Sequence, residues 1–334
     1  MSKQFKVAIT DFIVDDLAPE RDILGDIADV VSLNCFFEND LIGKIEDVDA
    51  IMLYHCLGLT DQTIHRLKNC KLIVRCGVGV DNVDHALASK CGIPVSNIPD
   101  YGTEEVADSA IALMMSLSRG THQMNSLLQA GVGPWSYRQV VPLHRIRGRV
   151  FGVVGLGRIG MAAALRAKAL GMDVVFYDPY KPTGYDKAFG IRRVEQVDEL
   201  FAQSHVISFH CPLTDETYHM ANRERIEKLP MGAFLINTAR GGVVDAAVIP
   251  DMLVSGRLAG AGIDVLEQEP PLDDNPFITA WRNMDHPARH RLIVNPHLAF
   301  YSEEGLMDMR TKGSIAVRKA LSGEPIPNVV NGVG

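Results

Sequence analysis

Three polar residues stand just beyond three short apolar runs in the second half of the chain: Arg240 after FLINT, Glu269 after GIDV and His297 after LIVNP. In open α/β sheets the ligand crevice lies beyond the carboxyl ends of the strands, so residues placed there converge on one crevice. Their types fit one chemistry. A guanidinium presents planar paired donors that match a carboxylate. Imidazole titrates near neutrality and can give or take the proton of a carbonyl oxygen as its charge changes. A carboxylate on the other imidazole nitrogen fixes the tautomer and favours the protonated ring. Glu269 fits that task, with Glu267 as the neighbouring alternative. Taken singly, each residue also has an ordinary structural reading: a loop histidine after a proline, an arginine bonding a helix end, a Glu-Pro pair opening a turn. Their shared location favours function.

A second constellation precedes them. GLGRIG spans 155–160, directly after FGVV and before MAAALRAKALG. Gly155 permits a tight turn, Gly157 lets the backbone approach a pyrophosphate, and Gly160 lets helix and strand pack closely. Arg158 and Ile159 open the helix whose free N–H groups would take the phosphates. The next apolar run, DVVFYD, ends in Asp178, where an acid bonds the ribose hydroxyls of NAD and repels the extra phosphate of NADP. Lys181 stands close enough to relax that preference. A dinucleotide beside Arg240, Glu269 and His297 suits hydride transfer to a 2-oxo acid. Cys211, ending VISFHC, reads as a buried wall beside the cofactor. His286 and His290 have i, i+4 spacing, but Pro287 between them favours a solvated loop over a metal site. No metal is expected.

The elements that must carry these residues alternate strand and helix throughout, the pattern of parallel sheets with helices on both faces. Strands are expected at 5–10, 30–35, 50–56, 72–77 and 93–98, then at 149–155, 173–178, 206–211, 233–238, 260–265 and 292–296. LTDQTIHRLKN reads as a helix capped by Thr60. A long helix opens at Thr103, as its cap, with Glu104 and Glu105 favoured in its first turn. Gly120 marks its end or a bend. Its apolar residues nearly encircle it, so a core or subunit interface must cover it. The helical stretch near the C-terminus is too short to fold alone and is expected to dock on the first domain.

Bulk properties set limits. At 334 residues two domains are expected. A net charge of −8 argues against a nucleic-acid surface. No apolar run approaches the roughly 20 residues needed to span a bilayer. The N-terminus lacks a signal-peptide pattern. The cysteines (Cys35, Cys56, Cys70, Cys76, Cys91 and Cys211) form no CxxC pair, which suits reduced thiols and a cytoplasmic protein without membrane contact.

VGLGRIG, FYDPY, INTARGGVVD, GIDVLEQEP and NPHLAFYSEE stand in the order and spacing of the D-isomer-specific 2-hydroxyacid dehydrogenases. The chain resembles that family along essentially its whole length. LYHCLGLT, IVRCGVGVDNVD and AFYSEE make it most similar to the C-terminal-binding protein branch. The resemblance implies an α/β fold with two Rossmann-like or flavodoxin-like domains: a discontinuous substrate domain (1–98 and 305–334) and an NAD-binding domain (99–304). It implies Arg240, Glu269 and His297 as the catalytic set for a small 2-oxo or 2-hydroxy acid. The backbone of Cys76, Gly77, Val78 and Gly79 would cradle the substrate carboxylate, with His55 and Arg75 near it and Phe300 as a wall. Thr103, Cys211, Pro212, Thr217, Thr238, Ala239 and Asp264 would line the NAD site together with Arg240 and His297. A homodimer through the NAD-binding domains is also implied. Where animal members of the branch carry tryptophan this chain has Phe300, and a longer segment, LDDNPFITAWRNMDHPARHR, separates Glu269 from His297. That segment reads as a lid, a dimer contact or an insertion. The branch includes NAD-sensing corepressors that bind short peptides and retain the Arg–Glu–His set. The sequence ends at Gly334 without their long tail, which favours the enzyme. A phosphorylated substrate would call for more cations than Arg75. A formate dehydrogenase would need no proton donor for a carbonyl oxygen.

Overall fold

The computed structural model describes residues 4–333; residues 1–3 and 334, at the ends of the expected first domain, lie outside it. The chain divides into two units, Met1–Gly102 with Ser302–Gly334, and Thr103–Tyr301.

The first unit is built on five parallel strands: β1 (Phe5–Ile9), β2 (Ala28–Ser32), β3 (Ala50–Leu53), β4 (Leu72–Arg75) and β5 (Val95–Asn97). Their order is β2-β1-β3-β4-β5, the flavodoxin-like arrangement, which reverses direction between β1 and β3. Every residue of β3 is fully buried, as a central parallel strand covered on both faces requires. The helix Glu303–Ser322 returns to this unit and packs on the helix Ala18–Leu24. Charge fixes that return. Arg310, buried, donates to Glu20 Oε1 and Oε2 at 2.7 Å and to Asp15 Oδ1 and Oδ2 at 2.8 and 2.6 Å. Removing one partner of such a buried cluster costs about 3–5 kcal/mol.

The second unit carries seven parallel strands: β6 (Val150–Val154), β7 (Asp173–Tyr177), β8 (Arg192–Arg193), β9 (Val206–Phe209), β10 (Ala233–Asn237), β11 (Leu258–Ile263) and β12 (Leu292–Val294). Their order is β12-β11-β10-β9-β6-β7-β8. Counted from β6, that is the doubly wound dinucleotide-binding order, with its switch point between β6 and β9. The helix Thr103–Ser118 begins the unit and buries Ala110, Leu113, Met114 and Leu117. Leu117 and Leu113 lie against Gly260 and Gly262 of β11, where an added Cβ would come within 2.9 and 3.0 Å of them.

The strands stop one to three residues short of the apolar runs at most of their carboxyl ends, and the overhangs are the site-bearing loops. The two-residue β8 carries too little apolar sequence to be noticed. The stretch expected as one helix from Thr60 forms only Asp61–Ile64, although Thr60 caps it by accepting the Gln62 N–H. Gly120, at φ +66°, separates the long helix from a second, Thr121–Gln129.

The 272–291 segment is neither a free lid nor a solvated loop. It folds into the helix Pro276–Arg282, with Phe277, Ile278 and Ala288 buried in the unit's core. Burying Phe277 alone stabilises by roughly 2–3 kcal/mol. His290 meets Ser126 Oγ at 2.7 Å. Among the described residues no cluster could hold a metal ion and no helix is long and apolar enough to cross a membrane.

Candidate active site

The second unit brings Arg240, Glu269 and His297 together through three loops that follow β10, β11 and β12. His297 Nδ1 lies 2.7 Å from Glu269 Oε2. Facing a carboxylate, Nδ1 carries the proton and donates it. Glu269 Oε1 accepts the Leu266 N–H at 2.7 Å. Burial pushes the Glu269 carboxyl up. The His297 bond and charge, the Leu266 N–H and the nearby Arg240 charge outweigh that and hold it below its ordinary range. Glu267 turns away, accepting from Tyr218 Oη at 2.8 Å and facing His219 Nε2 at 3.2 Å. The sequence left two acids open; the geometry pairs His297 with Glu269.

Gly241 makes this convergence possible. A Cβ there would sit 1.9 Å from the Leu266 carbonyl carbon, so only glycine lets the Arg240 turn pack against the Glu269 loop. Asn237 pins that turn by accepting the Ala239 N–H at 3.1 Å and donating to Arg240 O at 3.0 Å. His297 has φ +53°, an uncommon conformation for a side-chain residue that surrounding bonds must hold. Asp264 supplies them. Its backbone O accepts the His297 N–H at 2.7 Å, and its carboxylate accepts the Leu298 and Ala299 N–H groups at 3.0–3.2 Å. Burial raises the Asp264 carboxyl above its usual range despite those bonds. Asp264, expected to contact the nicotinamide end, is buried and directed at the His297 loop. Phe300 is buried edge-on to His297, with ring centroids 6.2 Å apart.

The nucleotide constellation has the same clarity. Gly155 sits at φ +86°, and a Cβ there would meet the Cys211 backbone at 2.8 Å. At Gly160 it would meet Gly155 O at 2.0 Å, whereas at Gly157 it would meet nothing within 4 Å. So two glycines are demanded by packing, and the third faces open space beside a helix that starts at Arg158 with no side-chain cap. Ile159 follows in its first turn. Asp178, buried, accepts the Leu156 N–H at 2.8 Å and the Tyr180 N–H at 3.0 Å. Thr238 Oγ1 is buried without a partner among the described residues, as a group awaiting a ligand would be. Burial pushes the Cys211 thiol up to about 12, which keeps it a neutral wall. Thr217, by contrast, uses its hydroxyl within its own turn, donating to Pro212 O at 2.7 Å and accepting the Thr214 N–H at 2.8 Å.

In the first unit the loop after β4 carries Cys76, Gly77, Val78 and Gly79. Gly77 O and Val78 O accept from Ile98 N–H and Asn97 Nδ2, and the Val78 and Gly79 N–H groups have no partner among the described residues. Arg75 is buried, and its guanidinium bonds Cys76 O at 3.2 Å and Asn82 Oδ1 at 3.4 Å. These bonds brace the loop. His55 follows β3, with the Phe12 ring 4.5 Å away centroid to centroid. The sequence reading missed the residue that sets this loop. Asp11, fully buried, accepts Tyr54 N–H at 2.9 Å, Cys56 N–H at 2.7 Å and Thr10 Oγ1–H at 2.6 Å. Its signal in the sequence is an acid just beyond the carboxyl end of β1.

A glycine turn, a buried acid just beyond the next strand and a histidine–carboxylate pair thus stand together at the ends of one doubly wound sheet. A model of the family described as "D-isomer specific 2-hydroxyacid dehydrogenase, NAD binding domain" matches residues 111–299. This chain belongs to that family, and NAD is its cofactor. Among curated proteins it is 33% identical over 326 residues to a D-3-phosphoglycerate dehydrogenase of Methanocaldococcus jannaschii, covering 98% of this chain and 59% of that protein. It is 31% identical over 315 residues to C-terminal-binding protein 1 of Caenorhabditis elegans, covering 92% and 42%. The chain thus spans only about half the length of these relatives. Among solved structures, D-lactate dehydrogenase of Aquifex aeolicus complexed with NAD and lactic acid superposes with a TM-score of 0.86 at 27% identity, covering 98% of this chain and 100% of that one. A pyruvate reductase of Chlamydomonas reinhardtii gives 0.78 at 28%, covering 97% and 98%.

Proposed function

We propose that the protein is an NAD-dependent dehydrogenase interconverting a 2-oxo acid and its D-2-hydroxy acid. The observation that carries the reading is the 2.7 Å His297–Glu269 pair with Arg240 beside it. NADH, when bound, supplies a hydride to the carbonyl carbon. His297 Nε2 gives its proton to the carbonyl oxygen and takes it back in the reverse reaction, while Glu269 stabilises the imidazolium. Arg240 holds the carboxylate and polarises the carbonyl. Residues 99–304 serve as the NAD-binding domain, and 1–98 with 305–334 as the substrate domain. In the substrate domain the Val78 and Gly79 N–H groups bind the carboxylate and His55 shapes specificity, as does Phe300 of the NAD-binding domain. Gly155, Gly157, Arg158, Ile159 and Gly160 take the pyrophosphate, and Asp178 the ribose. Thr103, Cys211, Pro212, Thr217, Thr238 and Ala239 surround the rest, and Asp264 acts through the His297 loop it holds.

A homodimer through the second unit belongs to the same reading. Trp135 is 89% exposed, with Tyr137 and Val141 also exposed on the same segment, more apolar surface than a free segment favours. The six thiols are free, as in a cytoplasmic protein. Direct nucleic-acid contact does not suit the net charge of −8.

The test is NADH oxidation by the purified chain against glyoxylate, pyruvate, hydroxypyruvate, phenylpyruvate and phosphohydroxypyruvate, with Arg240→Ala as control. Turnover that persists in the control removes Arg240 from its role. NADH binding without turnover favours the second reading, an NAD-sensing module like the C-terminal-binding protein it resembles. Exposed Phe36, Phe37 and Val31, on and just after the edge strand β2, support that reading as a docking place for a short apolar peptide.

A further inference from the structure

Strands β9, β6 and β7 lie side by side in that order. The glycine turn rises from the middle strand, Asp178 from β7 on one flank, and the Pro212–Thr217 turn from β9 on the other. In a sheet of this order the adenosine ribose belongs at Asp178. A hydrogen bond joins the two flanks there. Tyr180 Oη donates to Glu216 Oε2 at 2.5 Å, and Tyr180 is otherwise 78% exposed. The Tyr180 N–H is itself fixed by Asp178 Oδ1, so the phenol reaches Glu216 from a backbone already tied to the ribose acid. The loop turns its cations elsewhere. Lys181 Nζ lies over the Tyr185 ring, 5.3 Å from its centroid. Arg193 pairs with Glu195 at 3.2 Å and donates to Lys181 O at 2.9 Å.

We propose that Glu216, held against Tyr180, is a specificity-determining residue that bars the 2′-phosphate of NADP. That phosphate is a dianion near neutral pH and needs a cation beside the ribose. Here it meets a second carboxylate, and both nearby cations are engaged with other groups. Asp178 contributes a direct bond to the NAD hydroxyls. Glu216 makes none, and acts through charge and through the phenol it holds in place.

A bond that merely ties two loops together would affect both nucleotides alike, and this separates the readings. The experiment measures NADH and NADPH dissociation constants by fluorescence for the wild type, Glu216→Gln and Tyr180→Phe, with thermal unfolding confirming an intact fold. Glu216→Gln is expected to tighten NADPH by about ten-fold and leave NADH within about two-fold, the gain shrinking as salt screens it. Tyr180→Phe, which keeps the carboxylate but releases it, gives a smaller gain. An unchanged NADPH-to-NADH ratio overturns the proposal, as does equal tightening of both. A wild type that binds neither nucleotide overturns it together with the NAD assignment. Turnover of a 2-oxo acid plays no part in the measurement, so failure of the dehydrogenase reading leaves this result standing.

Discussion

In the second unit His297 and Glu269 face each other at 2.7 Å with Arg240 close by, and the acids and guanidinium at the strand ends are partly open. In the first unit the charged residues at equivalent strand ends, Asp11 after β1 and Arg75 ending β4, are buried and bonded into their own loops. What the first unit leaves open is main chain, the N–H groups of Val78 and Gly79. On the proposed reading the two sheets, similar in construction, would divide the work: one would present titratable side chains for chemistry, the other preorganised amides for holding an anion. Fixed backbone donors require no reorganisation, which suits binding; a proton must move through a group that titrates.

The sharpest way to break this comparison is His297→Ala, expected to cut turnover by about 10²–10⁴, the range for a positioned general acid, with NADH affinity unchanged. Full activity in that variant would move the chemistry elsewhere. Next comes Arg240→Lys, expected to raise KM for the oxo acid by about 10–100-fold because an ammonium cannot match a carboxylate with paired donors; steady-state kinetics with one substrate checks it.

Glu269→Gln should lower turnover by about ten-fold, since the imidazolium loses the anion that stabilises it. Unchanged turnover in steady-state kinetics makes Glu269 structural. The same variant tests linkage. The fold holds the Glu269 carboxyl below the ordinary carboxylate range, so its stabilising contribution is present above that range and lost as pH falls through the folded value. The difference in Tm between wild type and variant should be constant above about pH 5 and shrink in more acid solution.

The first unit should answer differently. Asp11→Asn is expected to raise KM several-fold with kcat unchanged and to lower stability by about 1–3 kcal/mol, as backbone donors lose a charged acceptor. A fall in kcat alone would place Asp11 with the chemistry and erase the contrast. Smallest of all, Arg75→Lys should lower Tm by a few degrees while moving KM less than about two-fold, because Arg75 braces a loop. A large KM effect would make it a substrate cation after all.

Much of this protein was legible in one dimension. Alternating apolar runs fixed both parallel sheets, because a strand buried on two faces must be continuously apolar. Gly155, Gly157 and Gly160 announced the nucleotide turn because backbone sterics admit no other residue at two of those places. Arg240, Glu269 and His297 were visible because each follows a strand. The sequence favoured Glu269 but kept Glu267, two residues away on the same loop, as an alternative; the Gly241 packing and the His297 backbone, which bring Glu269 to His297, come from other strands. Nor could it show Asp11 or Asp264 as holders of their neighbours' loops, since each bonds residues more than thirty positions away. It left 272–291 open as a lid, a dimer contact or an insertion, because the core that buries Phe277 exists only once the sheet has formed. Local pattern determines which elements form and where they end. Which side chains are left open at those ends is decided by long-range hydrogen bonds and close packing, which only the tertiary structure contains.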